Sequence, residues 1–118
     1  MDKFRPESFL PLTPVAFEIL LALADGERHG YSILQEVETR SGGAVSLHAG
    51  TLYRALARLL ESDLIDELRE SPDPSSGDER RRYYRLTARG VAVARAEVGR
   101  LEGQLSAARS RRLLRARA

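Results

Sequence analysis

The segment that specifies the architecture is residues 49–86, whose sequence is AGTLYRALARLLESDLIDELRESPDPSSGDERRRYYRL. Residues 49–62 predict a helix, because leucines recur along one side with the helical period. That apolar stripe consists of Leu52, Leu56, Leu59 and Leu60. Residues 64–70 and 81–86 predict two short strands, and the segment between them is rich in proline and serine. We therefore expect a helix followed directly by a β-hairpin with a long tip.

Two shorter helices are predicted before this segment. The first covers residues 14–25, where apolar residues follow the helical period and Thr13 suits the N-cap position. The second covers residues 30–41 and ends at Gly42 and Gly43. Three short helices followed by a hairpin is the order of a winged helix-turn-helix. The predicted fold is therefore mainly α with a small β-hairpin, an α+β class.

A fourth helix is predicted from Ala88 onward, with Thr87 as its N-cap. Its apolar residues are spaced by four, three, four and three positions, which is typical of a coiled-coil seam. They are Ala94, Val98, Leu101, Leu105 and Ala108. At about 25 residues the helix is roughly 38 Å long, so three short helices cannot cover the whole seam. We expect a homodimer through this helix. The alternative, packing on the first helix of the same chain, is expected for its first two turns.

The length and composition agree with this organisation. A chain of 118 residues has room for one core, with a winged-helix domain at residues 1–87 and a dimerisation helix with a basic tail at residues 88–118. Cysteine is absent, which excludes disulfides and thiolate metal sites, and we predict neither a metal nor a cofactor. No apolar run has the length of a signal-peptide core or a membrane span. A cytoplasmic location without a membrane is therefore expected.

The charges are distributed unevenly along the chain. There are 19 Lys and Arg side chains against 17 Asp and Glu, and Lys3 is the only lysine. Residues 1–70 contain 7 basic and 12 acidic side chains, a net charge of −5, whereas residues 71–118 contain 12 basic and 5 acidic ones, a net charge of +7. Such asymmetry indicates a polyanion or an acidic partner for the second half.

The third helix has a polar side opposite its leucines. Thr51, Arg54 and Arg58 lie at positions i, i+3 and i+7 and therefore share one face. Arginine pairs with guanine N7 and O6 or with a phosphate, and the major groove of DNA admits one helix. Four further candidates lie at or near the helix start, where backbone N–H groups favour a phosphate: Ser46, His48, Gly50 and Tyr53. Other roles for these residues stay open. Two arginines on one helix face are usually only exposed to solvent, and a residue before a helix is usually only a cap.

The hairpin contains three consecutive arginines, Arg80, Arg81 and Arg82. Adjacent cations repel one another unless an anion or an acidic neighbour compensates. Asp78 and Glu79 could do so in part, and a DNA phosphate beside the hairpin is the other solution. Tyr83 and Tyr84 alternate faces in a strand, so we expect one in the core and the other exposed or packed on the third helix.

These stretches resemble the PadR family of bacterial transcriptional regulators, in its short form with a single C-terminal helix. The matching blocks are Leu12-Thr13-Pro14, His29-Gly30-Tyr31 with Ile33, Gly50-Thr51-Leu52-Tyr53-Arg54-Ala55-Leu56, Leu64-Ile65, and Arg81-Arg82-Tyr83-Tyr84-Arg85-Leu86-Thr87 followed by Gly90. The resemblance covers about residues 10–105, and its third and fifth blocks are specific in this order and spacing. The chain departs from the family at His48-Ala49, where members often have Ser-Pro or Gly-Pro.

The resemblance implies a homodimeric winged-helix repressor that binds double-stranded DNA. Because a dimer has two equivalent DNA-binding units, its operator would be a pseudo-palindrome. The DNA-reading helix would contain Thr51, Tyr53 and Arg54, and the wing would contain Arg80 to Arg82. The terminal helix would dimerise with the first helix of the partner, which makes Phe17 a candidate interface residue. The family also implies release by a small aromatic effector, but tryptophan is absent and the residues give that effector no support.

Two other classes of function were weighed against DNA binding. An enzyme would need a Ser or Thr nucleophile with His29 or His48 as its base, and neither histidine lies in a Ser/His/Asp motif. We therefore predict no enzymatic activity. A winged helix that binds only protein is the second alternative. The arginines of the third helix and the hairpin favour DNA, because a protein-binding version would not need them.

Overall fold

The structure, a computed structural model, describes residues 3–68 and 82–114. Its elements in chain order are a 3₁₀ turn at Pro6–Phe9, helix α1 at Pro14–Leu23, strand β1 at Arg28–His29, helix α2 at Gly30–Arg40, helix α3 at Ala49–Glu61, strand β2 at Ile65–Leu68, strand β3 at Tyr83–Leu86 and helix α4 at Ala88–Ser110. The predicted order of three helices, a hairpin and a longer helix is confirmed. None of the helices in these two ranges is both long enough and apolar enough to cross a membrane.

Side chains cap three of the four helices. Thr13 Oγ1 and Thr87 Oγ1 each accept a hydrogen bond from the backbone N–H three residues further on, at 3.1 Å and 3.0 Å. Both predicted caps are therefore confirmed. His29 Nδ1 caps α2 in the same way at 3.1 Å, whereas the residue before α3, His48, makes no such bond with its side chain. The start of α3 thus differs from the other helix starts.

The hairpin belongs to a three-stranded antiparallel sheet with the order β1-β3-β2. The strand β1 pairs with the first two residues of β3, Tyr83 and Tyr84, and it was not predicted because two residues are too few to show a strand period. Tyr84 is buried, and this burial raises the pKa of its hydroxyl group. The nearby Glu67 carboxylate raises the pKa further. Tyr83 is half-buried with its ring edge-on to His29, at 5.5 Å between ring centroids. The predicted alternation of the two tyrosines is confirmed, with Tyr84 in the core, but Tyr83 is half-buried beside His29 rather than exposed.

One hydrophobic core joins the helices and the sheet. Helix α1 contributes buried residues along its second half, and α4 contributes Val93. The leucine stripe of α3 is buried except for Leu60, which is half-buried against the same core. Each fully buried leucine contributes roughly 2 kcal/mol of hydrophobic stabilisation. This packing fixes the rotation of α3 about its own axis, and so fixes which of its side chains face outward.

The first half of α4 is anchored to the rest of the chain. Gly90, Val93 and Glu97 are its buried residues, and α4 contacts α1. The expectation that the start of this helix packs on the first helix of the same chain is therefore confirmed. The Glu97 carboxylate accepts a hydrogen bond from the Leu12 N–H at 2.8 Å and another from Arg100 Nε. The bond from Arg100 holds the pKa of Glu97 below its ordinary value although burial opposes this. This buried acid was not singled out from the sequence.

Candidate nucleic-acid interface

Helix α3 separates a buried side from an exposed polar side, as its spacing predicts. Leu52 and Leu56 are 0% and 1% exposed. On the opposite side Arg54 and Arg58 are exposed and Thr51 is half-buried. The leucines hold the helix in the core, so the two guanidinium groups are directed outward. Thr51, Arg54 and Arg58 are called the α3 face below.

The start of α3 presents its backbone to solvent. Ser46, His48 and Gly50 are all exposed, and the expectation that a residue before this helix acts as a side-chain cap does not apply to His48. A Cβ atom added to Gly50 would meet only Arg54 Nη1, at 3.9 Å, among the atoms of the described ranges. Because no contact with a described residue requires a glycine here, the position is open to close approach by a partner.

The flank of α3 that faces α2 is closed by Tyr53. A Cβ atom added to Gly30 would lie 2.8 Å from the Tyr53 hydroxyl oxygen and 3.3 Å from its Cζ atom. The phenol therefore lies directly on the first residue of α2. Tyr53 is nevertheless 51% exposed, so the contact orients the ring and leaves part of it free for a partner.

The flank of α3 that faces α1 is open. A cleft of about 240 Å³ lies between the first turn of α1 and the α3 face. Its walls are formed by the α3 face together with Thr13, Val15, Ala16, Ala55 and Leu59. Sequence reasoning missed this cleft, because its two walls come from helices that are distant in the chain and no local pattern connects them.

The two arginines of the α3 face are not neutralised by the described part of the chain. Neither Arg54 nor Arg58 makes a hydrogen bond or an ion pair with any residue of the two described ranges. In contrast, Arg40 Nη1 lies 2.7 Å from a Glu18 carboxylate oxygen and joins α2 to α1. The α3 face therefore presents two positive charges that no described residue compensates.

Arg82, which is the described member of the three predicted wing contacts, is paired with an acid. Arg82 Nε lies 3.3 Å from Glu67 Oε1, and both side chains are substantially exposed. An exposed ion pair contributes at most about 1 kcal/mol, so Arg82 can exchange this carboxylate for a phosphate at little cost. The other two predicted wing contacts, Arg80 and Arg81, lie outside the described residues.

The predicted seam of α4 is partly covered within one chain. Ala94 is half-buried against the core, Ala108 is half-buried, and Phe17 of α1 is half-buried as well. The exposed residues of the seam are 41%, 37% and 41% accessible, and they are Val98, Leu101 and Leu105. Three aliphatic side chains exposed along one helix face at heptad spacing are typical of a surface that contacts another helix.

Three helices around one core, a small sheet whose hairpin follows α3, and an outward polar face on α3 define a winged-helix protein. The family model described as "Transcriptional regulator PadR-like family" matches residues 19–96, which is most of the chain. The chain therefore belongs to the PadR-like family of transcriptional regulators, and both the resemblance seen in the sequence and the predicted fold class are confirmed.

The chain is also similar to individual proteins. "Uncharacterized protein X" of Lysinibacillus sphaericus is 34% identical over 74 residues, which cover 63% of this chain and 65% of the relative, less than two thirds of its length. A transcriptional regulator from Clostridium thermocellum is 25% identical with a TM-score of 0.68, covering 81% of this chain and 87% of that one. A PadR family transcription regulator from hypervirulent Clostridium difficile is 24% identical with a TM-score of 0.70, covering 83% of this chain and 97% of that one. At this level of identity the similarity supports the fold and nothing further.

Proposed function

We propose that the protein is a sequence-specific DNA-binding regulator that acts as a homodimeric repressor. The observation that carries the proposal is the α3 face, where two exposed guanidinium groups without an acidic partner in residues 3–68 and 82–114 lie on a helix turned outward by its buried leucines. Such a helix fits the major groove, in which an arginine donates two hydrogen bonds to one guanine. The open backbone at Gly50 and the orientation of Tyr53 support the same mode of binding.

The exposed seam of α4 supports the homodimer. Pairing of Val98, Leu101 and Leu105 with a second copy would remove apolar surface from water. A twofold dimer binds two half-sites about one helical turn apart, so the operator would be a pseudo-palindrome. A dimer bound over a promoter blocks access to it, so repression needs no further contact. In a bacterium such a protein acts in the cytoplasm.

Selection from a random pool of duplex DNA is expected to enrich a pseudo-palindrome. On the selected site, the double change Arg54→Ala with Arg58→Ala is expected to weaken binding by about 30-fold or more, because one base or phosphate contact contributes roughly 1–3 kcal/mol. Fluorescence anisotropy of a labelled duplex measures the affinity.

The matched control for this experiment is Arg95→Ala, which removes an exposed arginine of α4 and is expected to leave the affinity unchanged. Equal affinities of the control and the double variant would exclude α3 as the DNA-reading helix. If the parent enriched no duplex sequence at all, the winged helix would instead be a protein-binding module.

The pair of changes Leu101→Asp and Leu105→Asp is expected to yield a folded monomer. Unpaired carboxylates in a helix seam carry a large desolvation penalty, so the dissociation constant should rise by about 100-fold or more. Sedimentation velocity measures the change, and Ser106→Asp, an exposed position on another side of α4, serves as the control and should remain dimeric. A dimer that survived both aspartates would place the interface elsewhere.

A further inference from the structure

The two flanks of α3 differ in a way that bears on how DNA is held. The α2 flank is filled by the Tyr53 phenol against Gly30, whereas the α1 flank is the open cleft of about 240 Å³. The apolar side chains that line the cleft are aliphatic, and its polar side chains are those of the α3 face and Thr13. Two guanidinium groups beside a small aliphatic surface match the chemistry of a sugar–phosphate unit, which is anionic at one end and largely apolar in its ring.

The hydroxyl of Thr13 is suited to contact an anion in this cleft. Its Oγ1 accepts the capping hydrogen bond from the Ala16 N–H at 3.1 Å. The oxygen therefore has its own O–H available as a donor, and no acceptor for it occurs in the described ranges. Thr13 is also exposed. A phosphate oxygen at the cleft could thus receive this hydrogen bond without loss of the helix cap.

The arginines of the α3 face differ in their position along the helix. Arg58 lies four residues after Arg54, about 6 Å further from the helix start. In recognition helices the N-terminal residues reach the base edges. Arg54 is therefore nearer to the bases, and Arg58 is nearer to the edge of the groove, where the DNA backbone runs.

We propose that the cleft between α1 and α3 holds one sugar–phosphate unit of the DNA backbone, with the phosphate bound by the Arg58 guanidinium and the Thr13 hydroxyl. This inference rests on the proposed DNA-binding function. It divides the α3 face into a base reader, Arg54, and a phosphate contact, Arg58. It also adds Thr13, the N-cap of α1, to the proposed DNA-contacting residues, whereas the sequence predicted only its role as a cap.

The first test compares the two arginines on the selected duplex over a range of salt concentrations. Arg58→Ala is expected to weaken binding equally for all sequences and to reduce the slope of log K against log salt by about 0.9, the value for one phosphate. Arg58→Lys keeps the charge and should keep the slope. Arg54→Ala is expected to relax the preference at one base position. A changed base preference for Arg58→Ala with an unchanged slope would overturn the proposal.

The second test uses the cap residue itself. Thr13→Asp and Thr13→Asn both retain an N-cap acceptor, so both variants should melt close to the parent. Only the aspartate places a negative charge in the cleft, and it is expected to weaken DNA binding by about tenfold or more relative to the asparagine variant. Equal affinities of these two folded variants would show that no phosphate is bound beside Thr13.

The third test separates a DNA phosphate from a free anion. In duplexes with single methylphosphonate linkages, one position per half-site should weaken binding by the parent and leave binding by Arg58→Ala unchanged. If no linkage has this effect, and if millimolar inorganic phosphate instead raises the melting temperature of the parent but not of Arg58→Ala, the cleft is a small-anion site and the proposal is wrong. A parent that binds no duplex would overturn the proposed DNA-binding function itself.

Discussion

Gly90→Ala is expected to lower the free energy of unfolding by about 3 kcal/mol or more. Gly90 lies in the first turn of α4, where this helix crosses the chain that leaves α3. An added Cβ atom would lie 2.0 Å from the carbonyl oxygen of Leu64 and 3.2 Å from Leu86 Cδ2. The Leu64 carbonyl also accepts a hydrogen bond from the Thr87 N–H at 3.1 Å. The clash is therefore with backbone that cannot move aside without loss of a hydrogen bond.

Urea unfolding followed by circular dichroism measures the effect of this substitution. The matched control is Gly103→Ala on the same helix, because a Cβ atom there would meet no described atom within 4 Å. In that open position alanine is expected to stabilise the helix by about 0.5–1 kcal/mol. If both substitutions stabilised the protein, α4 would not cross the Leu64 backbone at close range.

The parts of the fold that the sequence predicts are those set by neighbours in the chain. The helix period and the caps at Thr13 and Thr87 depend on residues within one or two turns, and the structure confirms them. The alternation of Tyr83 and Tyr84 also follows from local backbone geometry. Helices α1, α2 and α3 begin at the predicted residues and end one or two residues early, which is the usual uncertainty of a fraying last turn.

Features that depend on contacts between distant parts of the chain could not be predicted from the sequence. The strand β1 exists only because β3 pairs with it, and two residues show no period of their own. The contact of Glu97 with the Leu12 N–H spans 85 positions. The sequence indicated Gly90 only as part of a family match. The backbone that leaves no room for a Cβ atom at this position is that of Leu64, which is distant from Gly90 in the sequence.

In the candidate site, too, local features could be predicted from the sequence and tertiary contacts could not. The spacing of Thr51, Arg54 and Arg58 was enough to predict that they share a face opposite the leucines. Whether an arginine is neutralised depends on tertiary neighbours. Among the described residues, Arg54 and Arg58 of α3 have no acidic partner, whereas Arg82 is paired with Glu67. The cleft beside α1 is likewise a property of packing between two helices.

Glu97→Ala is expected to lower the free energy of unfolding by about 3 kcal/mol near neutral pH. Glu97 is 1% exposed, and its carboxylate is the acceptor for the Leu12 N–H. Alanine would leave that backbone donor without its partner and would open a space between α4 and the segment before α1. Glu97→Gln keeps the size and one acceptor, so its cost is expected to be smaller, about 1 kcal/mol, since the partner Arg100 is partly exposed and its charge is screened.

The pH dependence of this effect follows from the direction of the Glu97 pKa shift. The hydrogen bond from Arg100, assisted by the Leu12 N–H, lowers the pKa of Glu97 in the folded state. An unfolded glutamate protonates at about pH 4.3. The stabilisation by the carboxylate is therefore complete above that pH and is lost as the pH falls through the lower pKa of the folded state. The free energies of unfolding of the parent and of Glu97→Gln should thus converge below about pH 4.3.

Urea titrations at a series of pH values measure this convergence. Glu102→Gln removes an exposed acid of the same helix, so it should follow the parent at every pH and control for the loss of one negative charge. A constant difference between the parent and Glu97→Gln down to about pH 3 would mean that the pKa of Glu97 is the same in the folded and unfolded states. The Leu12 N–H and Arg100 would then hold the charged carboxylate no better than the neutral acid, and the charge of Arg100 would contribute nothing to the attachment of the N-terminal segment to α4.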